Sequence, residues 1–315
     1  MPIIAIGGPT ATGKTALGVQ LAQIYGGEVI SCDSMQVYRG MDIGTAKPTA
    51  EEMQGVVHHL LSVADPNEPF SVGRYVALAE PILQDLLARG VTPIIVGGTG
   101  LYMDALLKGE QFAPAPSEDL RRSLEADWDA HGAAAMLARL AERDPETAAR
   151  LNLSDRKRIL RALEIEALTG ITASEHERLS KLRPPKYQAI RLTLTYADRA
   201  ELYRRIDLRV DQMLENGLMD EIRRLIASGV RRDATAMQAI GYKEFLDVLD
   251  GKSTFEAATD AVKQGSRRYA KRQLTWFRRH ADTCWLDRTE YTDFSEIVSL
   301  ARRHITAFDS EKSVK

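Results

Sequence analysis

A parallel β-sheet with helices on both faces, carrying a mostly helical insertion, is the α/β architecture this sequence predicts. Three observations point to it. Short apolar strands alternate with helical patterns over roughly the first 110 residues. A glycine-rich loop joins the first strand to the first helix. A strand-free stretch rich in Ala, Leu, Arg and Glu, bracketed by prolines, then breaks the alternation before strand character returns.

Ile3–Ile6 is apolar throughout and runs into Gly7-Gly8. Lys14–Tyr25 follows with Leu17, Leu21 and Ile24 on one helical face, and Gly26-Gly27 stops it. Glu28–Ser31 is a second strand. Val76–Ala88 is a helix closed by Gly90, and Thr92–Val96 is a further apolar strand leading into Gly97-Gly98. Continuous apolar strands separated by helices suit a parallel sheet buried on both sides. Pro114 and Pro116 open the interruption and Pro184-Pro185 close it. The expected division is a core of residues 1–112 and 189–315 around an insertion of residues 113–188. Strands return at Ala189–Tyr196 and Thr283–Leu286 and rejoin the first sheet, with helices from Ala200 to Arg279 beside it. The polar tail Asp309–Lys315 is expected to be disordered, and no internal repeat is visible.

Over 315 residues the composition is 44% hydrophobic and 27% charged, ordinary for a globular chain. A formal net charge of −2 excludes a uniformly basic coat, so any nucleic-acid affinity must come from locally segregated charge. Cys32 and Cys284 provide neither a disulfide framework nor a repeated metal-ligand spacing, which fits a reducing cytoplasm. No charged leader and no apolar run of about 18 residues is present, so export and membrane spanning are not expected.

The strongest motif is Gly8-Pro9-Thr10-Ala11-Thr12-Gly13-Lys14-Thr15, a full G-x-x-x-x-G-K-[ST] match between a strand and a helix. Successive backbone N–H groups and a helix N-terminus make an anion cradle there. Lys14 adds a full charge, and the Thr15 hydroxyl can ligate Mg²⁺. The core is therefore P-loop NTPase-like, with ATP binding implied by the motif alone. A kinase or ATPase usually also needs a carboxylate at the end of a neighbouring strand. The strand Thr92–Val96 ends in Gly97-Gly98-Thr99 instead, and the carboxylate placed at a strand end is Asp33.

The stretch Asp33-Ser34-Met35-Gln36-Val37-Tyr38-Arg39-Gly40-Met41-Asp42-Ile43-Gly44-Thr45-Ala46-Lys47-Pro48 resembles the segment after the P-loop in tRNA dimethylallyltransferases. So do Gly97–Tyr102, Arg161-Ala162-Leu163-Glu164, Ala239-Ile240-Gly241-Tyr242 and Arg268-Tyr269-Ala270-Lys271-Arg272-Gln273, in the family's order. This resemblance, to the bacterial type that lacks a C-terminal zinc finger, implies several things. The P-loop residues Gly8–Thr15 would hold the diphosphate of dimethylallyl diphosphate with Mg²⁺. The acceptor would be the N6 amine of the tRNA adenosine 3′ of the anticodon. The residue matching Asp33 is the base, and Thr10 matches a threonine on the diphosphate side of the reaction centre. Arg209 matches an arginine that assists the leaving group, with Arg205 as the alternative. Asp33, Ser34, Met35, Gln36, Thr99, Arg121, Lys157, Arg158, Ile159, Leu160 and Arg161 match tRNA-contacting positions.

The chemistry is coherent with those roles. An adenine amine is a poor nucleophile, so a carboxylate accepting its proton helps as the C–N bond forms. An allylic diphosphate separates charge as it leaves, and cations in the cradle stabilise it. From the residues alone, Asp33 is more readily a loop or capping aspartate; the resemblance selects the base. Gln36 can read an adenine edge bidentately or be an ordinary surface glutamine.

Residues 261–281 contain no acidic residue, and Arg268, Lys271 and Arg272 there are candidates for RNA phosphates, together with Lys263, Arg267, Arg278 and Arg279. Tyr269, Trp276 and Phe277 can stack on loop bases or belong to the core. Arg156–Arg161 is a second basic cluster whose helix Asp155 can cap, and the insertion is expected to grip the anticodon stem. His58-His59 is not expected to bind a metal, since neighbours on a strand point to opposite faces. The rival readings are a prenyltransferase acting on free adenylate, an ATP-dependent small-molecule kinase, and a nucleic-acid-binding switch that uses nucleotide only for regulation. Nothing in the sequence demands more than a monomer.

Overall fold

The computed structural model describes residues 2–109, 117–182, 184–291 and 293–313. Residues 113–116, where the insertion was expected to open, lie outside them. Contacts divide the chain into two compact units: Met1–Leu107 with Tyr187–Lys315, and Lys108–Lys186.

The first unit runs β1 (Ile3–Gly7), α1 (Lys14–Tyr25), β2 (Gly27–Ser31), α2 (Ala50–Met53), β3 (His58–His59), α3 (Val72–Ala88), β4 (Thr92–Val96) and α4 (Gly100–Lys108). The second unit holds α5 (Glu118–Arg143), α6 (Pro145–Ala149), α7 (Arg156–Thr169) and α8 (Ala173–Leu182). The chain then returns through β5 (Ala189–Thr195), α9 (Arg199–Glu215), α10 (Leu218–Ala227), α11 (Lys243–Leu249), α12 (Phe255–Phe277), β6 (Thr283–Asp287) and α13 (Phe294–Ser313).

The six strands form one parallel sheet in the order β3-β2-β4-β1-β5-β6. β1 lies between β4 and β5, with Ile4 opposite both Ile94 and Ile190. Ile4, Ile6, Ile94, Leu192 and Leu194 pack against Leu17 and Leu21 of α1 and Ile297 and Ile305 of α13. Burial on this scale explains why the strands read as unbroken apolar runs. A second core gathers Val210 of α9, Ile222 and Leu225 of α10, Phe245 of α11 and Val262 of α12 around Val37, Tyr38 and Met41. It seats the long connection that leaves β2 against the C-terminal helices. The carboxyl ends of β1, β2 and β4 thus open toward α9 and α12, the usual place for a ligand crevice in an open α/β sheet.

The tail expected to be disordered, Asp309–Lys315, is corrected as far as Ser313, where α13 ends; Val314 and Lys315 lie outside the described residues. Ile297, Ala301, Ile305 and Phe308 keep helical spacing against the sheet core, and the Ser310 hydroxyl donates to the Thr306 carbonyl at 3.0 Å. In the second unit Asp155 stands at the N-cap of α7 but makes no side-chain cap bond; its Oδ2 accepts from the Asn152 N–H at 2.9 Å. Among the described residues no helix is long and apolar enough to cross a membrane.

Candidate active site

The first unit contains a cleft of about 980 Å³ lined by the P-loop, the segments 33–36 and 42–49, Gly97-Gly98, and one face each of α9 and α12. Its floor depends on close backbone approach. Gly8 has φ +132, and a Cβ there would lie 2.4 Å from the Leu194 carbonyl oxygen, so only glycine lets the loop turn off β1 against β5.

The eight loop residues do not contribute equally. Thr10, Ala11, Gly13, Lys14 and Thr15 line the cleft, whereas Gly8, Pro9 and Thr12 do not. The Thr12 hydroxyl turns inward to the Pro9 carbonyl at 2.9 Å. The Thr12 side chain and the Gly8 turn therefore shape the cradle, whose expected diphosphate contacts come from its backbone N–H groups. The Thr10 N–H is already engaged by Gln273 Oε1 at 3.1 Å, so Thr10 offers an occupant its hydroxyl. At the start of α1 the N–H groups of Lys14 and Thr15 have no intrahelical acceptor and remain available to an anion.

Lys14 donates to the Pro9 carbonyl at 2.6 Å. Burial, and after it the Arg209 guanidinium, lowers Lys14 to about 7, against a smaller opposing pull from Asp33. Burial likewise lowers Arg209, opposed by Asp33 and Glu52. Arg209 has no hydrogen bond or ion pair among the described residues, yet it is electrostatically coupled to Lys14 and Asp33 inside one cleft. Arg205 lines the same cleft, but its Nε donates to Glu201 at 2.7 Å and its guanidinium lies over the Tyr196 ring at 5.1 Å.

Asp33 follows β2 and lines the same cleft. Its Oδ1 accepts from the N–H groups of Met35 at 2.8 Å and Gln36 at 3.2 Å, the turn-capping contact that loop aspartates make. Oδ2 has no hydrogen-bond partner among the described residues, so the turn role leaves one carboxylate oxygen for the cleft. Ser34 N–H donates to Thr99 Oγ1 at 3.1 Å, which pins this segment to the end of β4. Burial, with nearby Asp33, pushes the Tyr269 phenol of α12 up to about 12.

The adenine-reading role expected of Gln36 does not fit its contacts. Its Nε2 donates to the carbonyls of Ala46 at 3.0 Å and Thr45 at 3.3 Å, and its Oε1 accepts from Ser31 Oγ at 3.3 Å. Both ends of the amide are committed to the protein, because the turn at 45–46 folds back over it. His59 bonds Glu28 at 2.6 Å and His58 contacts the Val56 carbonyl at 2.9 Å, so the two rings serve different partners.

Residues 36–280 match the family described as IPP transferase, and residues 1–64 match isopentenyl transferase. A tRNA dimethylallyltransferase of Halalkalibacterium halodurans is 48% identical over 312 residues, covering 99% of this chain and 98% of its own length. The chain belongs to the IPP transferase family. One of Geobacillus thermodenitrificans is 48% identical over 304 residues, 96% of either chain. Among solved structures, the full-length tRNA isopentenylpyrophosphate transferase of Bacillus halodurans is similar with a TM-score of 0.75 at 46% identity, covering 99% of this chain and 98% of that one. A eukaryotic dimethylallyltransferase acting on tRNA reaches a TM-score of 0.85 at 31% identity, over 99% of this chain and 80% of that one.

In this IPP transferase the basic face of α12 is narrower than the sequence implied. Arg267 is paired with Asp207 at 2.5 Å and Lys263 with Asp211 at 2.6 Å, so α9 neutralises two of its cations. Arg268, Lys271 and Arg272 are exposed with no ion pair among the described residues, and Arg272 lines the cleft. Phe277 is a core residue and so not a base-stacking platform, and the Trp276 indole N–H donates to buried Asp104 at 2.8 Å.

Within the transferase's second unit, Lys157 and Arg158 are exposed. Ile159 and Leu160 are buried in its core, because they sit on the inner face of α7. Their side chains are not available as nucleic-acid contacts, a correction to the expectation. Arg121 and Arg161 both pair with the fully buried Glu164, Arg161 at 3.2 Å.

Sequence reasoning missed Gln273 of the transferase as a site residue. Its Oε1 takes the Thr10 N–H and its Nε2 donates to the Gly98 carbonyl at 3.0 Å, which ties the P-loop to the end of β4. Ser266, Tyr269 and Gln273 fall at i, i+3 and i+7 on the cleft side of α12, and that spacing is the signal that could have found it.

Proposed function

We propose that this chain transfers the dimethylallyl group of dimethylallyl diphosphate to the N6 amine of the tRNA adenosine 3′ of the anticodon, releasing diphosphate. The observation that carries this reading is the pairing of a half-free carboxylate, Asp33, with a cationic cradle, Lys14 and Arg209, in a single cleft. A bond forms between N6 and the allylic carbon while the bond from that carbon to the diphosphate oxygen breaks. The amine proton passes to Asp33 Oδ2, which keeps the nucleophile from carrying full positive charge. The charge that gathers on diphosphate meets the α1 N-terminus, Lys14 and Arg209, aided by the Thr10 hydroxyl. Arg209 suits the leaving-group role better than Arg205, whose guanidinium is held by Glu201 and Tyr196.

Mg²⁺ fits this site. The Thr15 hydroxyl lines the cleft with no partner among the described residues, and diphosphate oxygens would complete its ligands. When bound, the ion supplies further neutralisation of the leaving group. For tRNA, we assign Arg268, Lys271 and Arg272 on α12, and Lys157, Arg158, Arg121 and Arg161 in the 108–186 unit, to phosphate contacts with the anticodon stem-loop. A monomer working in the cytoplasm completes the reading.

The test is transfer of label from radiolabelled dimethylallyl diphosphate with Mg²⁺ to unmodified tRNA and, separately, to AMP. Label in tRNA that vanishes when the adenosine beside the anticodon is replaced is the expected result. Label in AMP alone, or in neither, overturns the proposal.

A further inference from the structure

Two motifs that resemble family segments, Met41-Asp42-Ile43-Gly44 and Ala239-Ile240-Gly241-Tyr242, have no role in the chemistry above. They meet at one buried carboxylate. Glu221 of α10 is 2% exposed. Its Oε2 accepts from the N–H groups of Asp42 at 2.9 Å and Ile43 at 2.7 Å. Its Oε1 accepts from the Gly44 N–H at 3.2 Å and the Tyr242 hydroxyl at 2.6 Å. No cation pairs with it among the described residues. A carboxylate buried among neutral donors is costly unless each lone pair is used. Here the charge strengthens three successive backbone bonds and fixes the shape of the loop that donates them.

That loop is a wall of the cleft, since Asp42, Ile43, Gly44, Thr45, Ala46 and Lys47 all line it. It is closed locally by the Thr45 hydroxyl on the Met41 carbonyl at 2.6 Å and by Lys47 on the Tyr38 carbonyl at 2.8 Å. The turn presents the carbonyls of Thr45 and Ala46 to the Gln36 amide. The Gln36 N–H in turn bonds Asp33 Oδ1. Hydrogen bonds joined by short stretches of chain thus link Glu221, through the 42–46 loop and Gln36, to the carboxylate at the acceptor end. None of Glu221's partners lies in residues 8–15, which Gln273 holds separately.

We propose that Glu221 is a positioning residue for the acceptor side of the cleft, acting with Tyr242 to hold the 42–46 loop and through Gln36 to aim Asp33. This rests on the transfer reaction above. The prediction is a split: damage at Glu221 lowers turnover but leaves dimethylallyl diphosphate binding alone. In Glu221→Gln one acceptor oxygen becomes an N–H₂ facing donors, which frees part of the loop. We expect kcat to fall about tenfold or more, as small misplacements of reacting groups do. We expect KM for dimethylallyl diphosphate to stay within about twofold, and amide hydrogen exchange at residues 42–44 to quicken.

Unchanged kcat with freed 42–44 amides overturns the inference. A KM for the diphosphate that worsens in step with kcat does so too, since that is general loss of structure. If Glu221→Gln does not fold, Tyr242→Phe carries the test, because it keeps the carboxylate and three N–H donors. It is expected to lose about threefold in kcat at unchanged diphosphate KM, and a folded Tyr242→Phe protein with wild-type kcat overturns the inference. Wild-type protein that labels no tRNA refutes the underlying reaction and this inference with it, and that outcome is visible before any variant is compared.

Discussion

Diphosphate binding should take up a proton, and Lys14 is the group that receives it. Burial and the Arg209 charge lower Lys14 to about 7 in the free protein. At pH 8, one unit above that value, only about a tenth of the molecules carry the Lys14 proton. A bound diphosphate supplies the negative charge the site lacks and restores the ordinary lysine preference, so binding at pH 8 should take up about 0.9 proton. The ligand adds nothing to the count there, because a terminal phosphate loses its last proton near pH 6.

The sign follows. Affinity falls as pH rises, by about tenfold between pH 8 and pH 9. The stability of the free protein moves the other way. A folded-state lysine value below the unfolded one means the unfolded chain holds more protons above pH 7, so this group's contribution improves as pH rises from about 7 toward 10.5. The assay is titration calorimetry of dimethylallyl diphosphate in buffers of different ionisation enthalpy, on wild type and Lys14→Met. His58 also lines the cleft, and burial lowers its imidazole, so the variant separates the two groups. No uptake by wild type at pH 8, or equal uptake by Lys14→Met, would refute the reasoning.

Asp33→Asn keeps an oxygen for the Met35 and Gln36 N–H groups while removing the basic group, so turnover in the label-transfer assay should fall about 10²-fold with both KM values retained. Arg209→Gln should lower kcat by about 10²-fold or more, whereas Arg205→Ala, whose guanidinium is already occupied, should stay within about threefold; equal losses would reassign the leaving-group role. Gly97→Ala would put a Cβ 1.9 Å from the Cys32 carbonyl oxygen, backbone that cannot step aside. Urea unfolding should show a loss of about 2–3 kcal/mol or more.

The parts of this molecule that read directly from sequence are those whose causes are local. The helix Lys14–Tyr25 and the strand Thr92–Val96 have the bounds that glycine punctuation and unbroken apolar runs predicted. The extension of α13 through Ser313 was hidden because the residues after Phe308 carry no apolar periodicity to mark a helix. The placements that escaped reading are long-range. Gln273 reaches Thr10 across 263 positions, and Glu221 reaches Asp42 across 179. Gln36 looked like a free reader of bases because nothing in its neighbourhood announces that the turn at Thr45-Ala46 will claim its amide. A side chain's type and spacing say what it can bond; packing decides which partner arrives first.

The 108–186 segment leaves the core after Leu107 and returns at Tyr187, where the Tyr187 N–H bonds the Leu107 carbonyl at 2.9 Å and the Lys186 N–H bonds the Lys108 carbonyl at 3.3 Å. Entry and exit are therefore side by side, as in a graft on a stem. The core's chain entropy is nearly indifferent to what hangs there, since closing a longer loop costs only about 0.6 kcal/mol per doubling of length. A short Gly-Ser bridge from Leu107 to Tyr187 should preserve the sheet and cradle while deleting the excursion.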